Sequence, residues 1–265
     1  MKQTGALLLS FILLAACGQE PATESPDAAT TSNNASPSIY ASAVASSGRT
    51  EADRGRDAAR KPAEVLKFFG IEPGMAILDM FSGGGYYTEI LSHIVGPEGS
   101  VTAHNNQAYA QFVGEEAALR YADDRLPNVD LLMAENNELE LTADTFDAVM
   151  MVLAYHDIYY VAPNDGWPKI DGAKLVEELY RSLRPGGMLA VVDHYAAAGS
   201  PRESGNTLHR IDPEIVIGEL EQAGFVLEAS SEVLRNMADD HSLSMAAPEV
   251  RGKTDRFVLR FRKPE

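Results

Sequence analysis

The chain has 265 residues, which fits one ordinary globular domain with accessory segments. Hydrophobic residues make up 45% of the sequence, enough for a sizeable core, and this excludes a wholly disordered chain. The formal net charge of −17 gives an acidic surface that repels phosphate backbones. Nucleic acid is therefore not an expected partner.

The first sixteen residues have the composition of an export signal. Lys2 precedes an apolar run from Ala6 to Ala16 that is too short to cross a bilayer as a helix. We therefore interpret residues 1–16 as a signal peptide. Leu14-Ala15-Ala16-Cys17 resembles the lipobox of bacterial lipoproteins. The resemblance implies cleavage before Cys17 and lipidation of its thiol; a plain secretory signal with a chance cysteine is the alternative.

Cys17 is the only cysteine in the chain, so its lipidation would leave the folded part with no disulfide and no thiol nucleophile. Gly18 follows it, which by the usual lipoprotein pattern favours the outer membrane. We expect a protein at the periplasmic face of the cell envelope, held to the membrane by its lipid anchor alone.

A flexible tether is expected to follow the signal. Residues 17–50 are rich in Ser, Ala, Thr and Pro and lack apolar periodicity, a composition that cannot bury enough surface to offset the cost of ordering. Residues 51–265 are assigned to one folded domain.

Apolar strands and amphipathic helices alternate from Asp57 onward. An apolar helical face runs from Ala58 to Phe69, and Gly70 is placed to end that helix. Arg184-Pro185-Gly186-Gly187 has the residues of a type II turn. The expected strands are 76–79, 100–104, 129–133, 146–152, 188–193, 225–234 and 256–262. The further expected helices are 86–95, 107–121, 172–183 and 213–223.

This alternation predicts an α/β fold, a mostly parallel, doubly wound sheet of seven strands with helices on both faces. No helix is predicted between the last two strands, which indicates an antiparallel hairpin at the sheet edge. In such sheets, ligands bind beyond the carboxyl ends of the strands.

A glycine cluster follows the first strand and opens a helix. Gly83, Gly84 and Gly85 would let the backbone approach a ligand there, and Asp79 stands near the strand end. A purely structural turn is the alternative. Together with ILDMFSGGGYYTEIL, VTAHN, FDAVMMVLAYHD, LRPGGMLAVVDH and PEIVIGELEQAGF, the cluster resembles the Rossmann-like class I S-adenosylmethionine-dependent methyltransferases over about residues 57–262. GIEPGM, the histidine after the fourth strand and VVDH further resemble a group of exported predicted methyltransferases.

The resemblance implies S-adenosyl-L-methionine as cofactor and assigns its contacts. The turn from Asp79 to Gly85 would meet the methionine end, Asn105 the ribose, and Glu135 with Asn136 the adenine. An exposed polar loop is the alternative for the last two.

Two positions depart from the family pattern. Phe81 stands where the family has glycine, and because phenylalanine disfavours positive φ we expect the turn to run differently. Asn105 stands where the family commonly has an acid, and a neutral amide forms weaker hydrogen bonds than a carboxylate. We therefore expect weaker cofactor binding, or a cofactor held differently.

Three histidines fall at loops on the predicted ligand side. His156 precedes Asp157 after the fourth strand, His194 follows Asp193 at the end of the fifth, and His209 precedes the helix that begins at Pro213. A histidine beside a carboxylate is a candidate base, so His156, Asp157 and His194 are the candidate catalytic residues. A structural hydrogen bond is the alternative for each histidine. The six histidines show no recognisable metal-ligand spacing, and no metal is expected.

The segment Ile158–Ile170 holds Tyr159, Tyr160 and the only tryptophan, Trp167. We predict either a lid over an apolar or aromatic small-molecule substrate or a surface loop anchored by its aromatic rings. The sequence thus favours an exported lipoprotein that transfers a methyl group to a small molecule. The alternative is a catalytically degenerate binding protein that keeps the fold. The oligomeric state is left open.

Overall fold

The computed structural model describes residues 38–265. The expected signal peptide, Cys17 and most of the expected tether lie outside the described residues. The strands are β1 (Ala76–Met80), β2 (Ser100–Asn105), β3 (Val129–Met133), β4 (Phe146–Val152), β5 (Leu183–His194), β6 (Val226–Ser231) and β7 (Arg256–Arg262). The helices are α1 (Ile39–Val44), α2 (Glu51–Arg60), α3 (Pro62–Phe69), α4 (Tyr86–Val95), α5 (Gln107–Arg120), α6 (Gly172–Ser182), α7 (Ser204–Leu208) and α8 (Pro213–Gln222).

The strands form one seven-stranded sheet in the order β3-β2-β1-β4-β5-β7-β6. Strands β1 to β5 are parallel, and β7 is antiparallel to both β5 and β6. The predicted fold class, including the antiparallel edge hairpin, is confirmed. β1, β2, β4 and β5 are parallel, so their carboxyl ends lie at the same edge of the sheet. The strand order reverses direction between β1 and β4 at this edge.

Each face of the sheet has its own apolar core, because successive residues of a strand point to opposite faces. Leu78 of β1 belongs to the first core, which α6 and α8 cover with residues such as Leu179 and Leu220. Its neighbour Ile77 belongs to the second core, covered by α3 and α4. Both faces are therefore buried, as the doubly wound arrangement requires.

The prediction that the tether extends to residue 50 is wrong, because residues 38–50 belong to the folded domain. The Ser38 hydroxyl caps α1, and Tyr40, Ala43 and Val44 pack on the second core. Arg49 donates two hydrogen bonds, of 2.7 and 2.8 Å, to the Asp57 carboxylate. The small residues of this stretch resemble a linker in composition. One side of α1 is nevertheless apolar enough to pack on the second core.

The helix expected around residues 58–69 is two helices, α2 and α3. Lys61 adopts a left-handed conformation with φ 42° between them, since the residue before a proline avoids the helical region. α5 is also broken, at Gly114, whose φ of 42° is open to glycine but lies outside the helical region. α7 was not expected at all.

Strand β5 begins at Leu183, earlier than expected, although Gly186 has the positive φ of 72° that the predicted type II turn demands. Strand β6 ends at Ser231, three residues before the expected end. Residues 232–255 form a long connection back to β7. No helix within residues 38–265 is long and apolar enough to cross a membrane.

Candidate active site

The glycine turn lies at the carboxyl end of β1. Phe81 has φ 56°, so phenylalanine does take a positive φ in this turn, a left-handed conformation that costs a non-glycine residue about 1–2 kcal/mol. Ring contacts hold it there. The Phe81 ring stacks on Trp167 at 6.0 Å between centroids and tilts against Tyr109 at 5.5 Å.

Helix α5 lies directly against the two later glycines of the turn. A Cβ atom added to Gly84 would overlap the Glu116 carboxylate, and one added to Gly85 would overlap Arg120 and Tyr121. The Arg120 guanidinium also donates a hydrogen bond to the Gly84 carbonyl. The space that glycine leaves is therefore filled by the protein's own helix.

Asn105 binds the glycine turn through both ends of its amide. Its Oδ1 accepts from the Gly83 N–H at 2.9 Å, and its Nδ2 donates to the Gly83 carbonyl at 3.0 Å. The expected ribose ligand therefore anchors the turn in this conformation.

The two expected adenine ligands hold the start of α5. The Glu135 carboxylate accepts from the Gln107 N–H at 3.1 Å, where the helix N-terminus favours negative charge. Asn136 Oδ1 accepts from Asn106 Nδ2 at 2.9 Å. Within residues 38–265, the buried Asn136 Nδ2 has no hydrogen-bond partner, and a cavity of about 380 Å³ borders Glu135.

These contacts decide how the site suits a nucleoside cofactor. Of the two residues that the resemblance assigns to the adenine, Glu135 borders an open cavity and Asn136 has an unpaired buried donor. The turn that the resemblance assigns to the methionine end is covered by the Phe81 ring and by α5. The arrangement therefore does not fit the whole cofactor unless these groups move.

Asp79 is buried beneath the turn. Its Oδ2 accepts a hydrogen bond of 2.6 Å from the Thr88 hydroxyl of α4, and burial raises the pKa of the carboxyl to about 6. Asp79 therefore ties β1 to α4 behind the turn.

A cavity of about 520 Å³ lies beside the glycine turn, beyond the carboxyl end of β4. His156, Asp157 and His209 contribute its polar lining, whereas Tyr160 and Trp167 contribute aromatic walls. The aromatic segment expected as a lid thus forms part of this wall, with Trp167 bridged to Ala162 by backbone hydrogen bonds.

His156 is fixed between two carboxylates. Its Nδ1 donates to Asp193 Oδ1 at 2.7 Å, its backbone N–H donates to Asp193 Oδ2 at 2.8 Å, and its Nε2 lies 3.2 Å from Asp157 Oδ1. Burial alone would lower the pKa of His156, but the carboxylates of Asp157 and Asp193 outweigh it and raise that pKa well above the usual range. Without another cation, His156 is a buried positive charge rather than a free base.

Asp157 receives contacts from three sides. Its Oδ2 accepts from the Tyr109 hydroxyl at 2.7 Å, and its Oδ1 lies 3.6 Å from His209 Nδ1. Burial would raise the pKa of this carboxyl, but His156 outweighs burial and lowers the pKa well below its usual range. Asp157 therefore stays ionised.

His194 lies behind His156 and does not line the cavity. Its Nδ1 is 2.6 Å from the Thr254 hydroxyl, and its ring centroid is 5.8 Å from that of His156. Burial lowers its pKa well below the usual range, so it is neutral. Its position suits a supporting role better than the predicted catalytic one.

Sequence reasoning missed Tyr109 and Arg120, which connect α5 to the site. Both lie in a helix of mixed polarity whose charged positions resemble a solvated surface, and no local pattern distinguishes them. Asp193 was considered only as a neighbour of His194. An acid at the end of a buried strand is, however, itself an indication of a functional site.

The comparisons with known proteins agree with the fold. Residues 78–191 match the methyltransferase domain family Methyltransf_11. A demethylmenaquinone methyltransferase of Listeria welshimeri is 28% identical over 130 residues, which are 49% of this chain and 49% of the relative. A ubiquinone/menaquinone biosynthesis C-methyltransferase of Pasteurella multocida is 25% identical over 182 residues, 64% of this chain and 63% of the relative.

The chain thus spans about half the length of the Listeria relative. Among solved structures, a SAM-dependent methyltransferase from Aquifex aeolicus is similar, with a TM-score of 0.55 and 25% identity over 78% of this chain and 98% of that one. By the match over residues 78–191 and by its seven-stranded fold, the chain is similar to the class I S-adenosylmethionine-dependent methyltransferases.

Proposed function

We propose that this protein transfers a methyl group from S-adenosylmethionine to a small apolar or aromatic acceptor bound in the 520 Å³ cavity. One observation carries the proposal. Trp167 lines the cavity and also stacks on Phe81 of the glycine turn, so the acceptor space and the expected donor space share a wall. Methyl transfer needs donor and acceptor held in line and shielded from water, and adjacent aromatic-walled sites provide both.

The residues of the cavity have separate roles in this proposal. When bound, S-adenosylmethionine supplies an electrophilic methyl group. Tyr160 and Trp167 would orient a flat acceptor by stacking. His209 is half-buried, in contrast to the enclosed His156, and is the histidine that an acceptor in the cavity reaches more easily.

The names of the relatives favour one class of acceptor. Demethylmenaquinone and ubiquinone precursors, which those names concern, carry flat rings with oxygen substituents. An acceptor of this kind suits the aromatic walls and the polar floor of His156, Asp157 and His209. We therefore include oxygenated aromatic rings among the first acceptors to test.

A second function is favoured by the packing of α5. Asn105 is bonded to the glycine turn and α5 fills the space beside it, as expected for a binding protein that has kept the fold and lost the chemistry. Such a protein would bind its ligand in the same cavity without methyl transfer.

Calorimetric titration with S-adenosylmethionine and S-adenosylhomocysteine, on the wild type and on Phe81→Gly, separates these two functions. The substitution removes the ring contacts with Trp167 and Tyr109, worth about 1–3 kcal/mol together, which the cofactor would otherwise have to break, so the affinity should rise by about 5- to 150-fold. Phe81→Leu, which removes the ring but keeps a Cβ atom, distinguishes ring displacement from backbone strain.

Micromolar binding by the wild type, strengthened in Phe81→Gly, would support the enzyme. If neither protein binds either compound at millimolar concentration, the binding-protein alternative is favoured. A folded Phe81→Gly with unchanged affinity would show that the ring does not block the cofactor.

We also propose that the protein is an exported lipoprotein anchored through Cys17, on the sequence grounds given above. Cys17→Ser should move the protein from the membrane fraction to the soluble periplasmic fraction and abolish incorporation of labelled fatty acid. The wild type processed at the same site but recovered in the soluble fraction would contradict lipidation.

A further inference from the structure

His156, Asp157 and His209 bring two imidazole nitrogens and a carboxylate oxygen within 4.8 Å of one another. We propose that these three side chains bind a divalent transition-metal ion of the zinc class, with the fourth coordination position open to the cavity. No spacing in the sequence indicates this cluster, because His209 is far from the other two residues along the chain.

The distances suit tetrahedral coordination. Zinc–ligand bonds of about 2.0–2.2 Å place neighbouring ligand atoms about 3.3–3.6 Å apart. Asp157 Oδ1 lies 3.2 Å from His156 Nε2 and 3.6 Å from His209 Nδ1, so two of the three edges already match. The third edge, between the two histidine nitrogens, is at most 4.8 Å, and His209, the most exposed of the three ligands, is the one that can move to shorten it.

Two ligands are oriented by partners outside the cluster, as in established metal sites. Asp193 accepts from His156 Nδ1 and so directs Nε2 toward the cluster. The Tyr109 hydroxyl occupies Asp157 Oδ2, which leaves Oδ1 facing both histidines.

The third ligand is positioned by a close helix contact. α7 packs so tightly on the turn at Tyr155–Tyr159 that a Cβ atom on Gly205 would come within 2.5 Å of the His156 carbonyl. His209 caps this helix in the left-handed conformation, with φ 50°, and its ring lies against Tyr160 at 4.9 Å. The chain thus adopts a disfavoured backbone at the residue that completes the cluster.

The local charge also suits a dication. Asp157 and Asp193 are both buried, and within residues 38–265 neither forms an ion pair with lysine or arginine. A divalent ion bound by neutral histidines would balance both carboxylates. Its open position, beside Trp167 and Tyr160, would hold water or an oxygen or nitrogen atom of a small ligand.

The test measures metal binding by the full-length protein, purified without a polyhistidine tag and treated with chelator. We expect one Zn²⁺ per chain by elemental analysis after dialysis, and Co²⁺ should give the intense visible bands of a tetrahedral site. His209→Ala should bind at least about 10- to 100-fold more weakly, since changing even an outer-shell partner costs that much. His209 is half-buried, so this variant should keep the wild-type circular dichroism.

Two further variants test whether the position of His209 determines Zn²⁺ binding. Gly205→Ala should weaken Zn²⁺ binding by displacing α7 and with it His209. His241→Ala is the matched control, because His241 Nε2 also lies beside a carboxylate, 3.1 Å from Asp255 Oδ2, but outside the cluster. It should bind Zn²⁺ as the wild type does.

Equal Zn²⁺ affinity in the wild type and His209→Ala, or Co²⁺ without tetrahedral bands in the wild type, would overturn the proposal. Neither readout uses S-adenosylmethionine, so the metal site can fail while the proposed methyl transfer stands, and the reverse also holds.

Discussion

His156→Ala should lower the free energy of unfolding by about 3–5 kcal/mol, because it leaves the buried Asp157 and Asp193 carboxylates without their shared cation. His156 is only 1% exposed, and it donates both a ring and a backbone hydrogen bond to Asp193. Chemical denaturation in the presence of a chelator measures the effect free of any bound metal.

The double variant His156→Ala/Asp193→Asn provides the control. Replacing Asp193 by its neutral amide removes one of the two uncompensated charges, so the double variant should be more stable than His156→Ala alone. A loss below about 1 kcal/mol in His156→Ala would contradict the buried ion cluster. Turnover should fall in both variants, since each disturbs the floor of the cavity.

The sequence alone suggests a milder outcome, a loop histidine whose removal would spare the fold. The difference lies in Asp193, which sits 37 residues further along the chain and meets His156 only because β4 and β5 are neighbours. Strand order brings such pairs together, and periodicity in one sequence cannot show which strand ends face each other.

The sheet itself could be predicted, because each strand is a short apolar run between turn residues. β3, β4 and β7 have the expected bounds, as does α4, which ends before Gly96. The failures share a cause. Short apolar patterns underdetermine structure where tertiary contacts decide it, as at α1, whose small residues dock on the second core, and at α7, whose Gly205 permits close packing.

The sequence predicts which strand ends carry the site residues, but it does not predict what those residues contact. Asn105, Glu135 and Asn136 lie at the expected strand ends, yet their hydrogen bonds go to Gly83 and to the start of α5. Nothing in the sequence of α5 indicates that it lies over the glycine turn. Arg120 holds α5 over the glycine turn, and the partners of Arg120 are distant in the sequence.

Arg120→Met should also lower the free energy of unfolding by about 3–5 kcal/mol at neutral pH. The Arg120 side chain is 2% exposed and pairs with Asp53 and Glu89, whose side chains are fully buried. Methionine has a similar volume but no charge, so both carboxylates lose a partner. Arg56 and Arg125 still reach them, which places the expected loss toward the lower end of the range.

The loss should depend on pH in a defined direction. Burial would raise the pKa values of Asp53 and Glu89, but Arg120 and its neighbours outweigh burial and lower both pKa values below their usual range. A carboxyl with a lowered folded-state pKa stabilises the protein above its unfolded pKa of about 4 and loses that contribution as pH falls through the folded value. The stability difference between wild type and Arg120→Met should therefore be full at pH 7 and shrink below about pH 4.

Arg181→Met is the matched control, because Arg181 is 46% exposed and its pair with Glu178 lies on the surface of α6. An exposed pair contributes about 1 kcal/mol or less, so this variant should stay close to the wild type. Equal effects of Arg120→Met and Arg181→Met would mean that the buried cluster does not hold α5. If Arg120→Met behaves as expected, hydrogen exchange at Gly84 and Gly85 should accelerate as well, since Arg120 no longer fixes the Gly84 carbonyl. The glycine turn would then be released by a residue that touches neither the cavity nor the predicted ribose and adenine ligands.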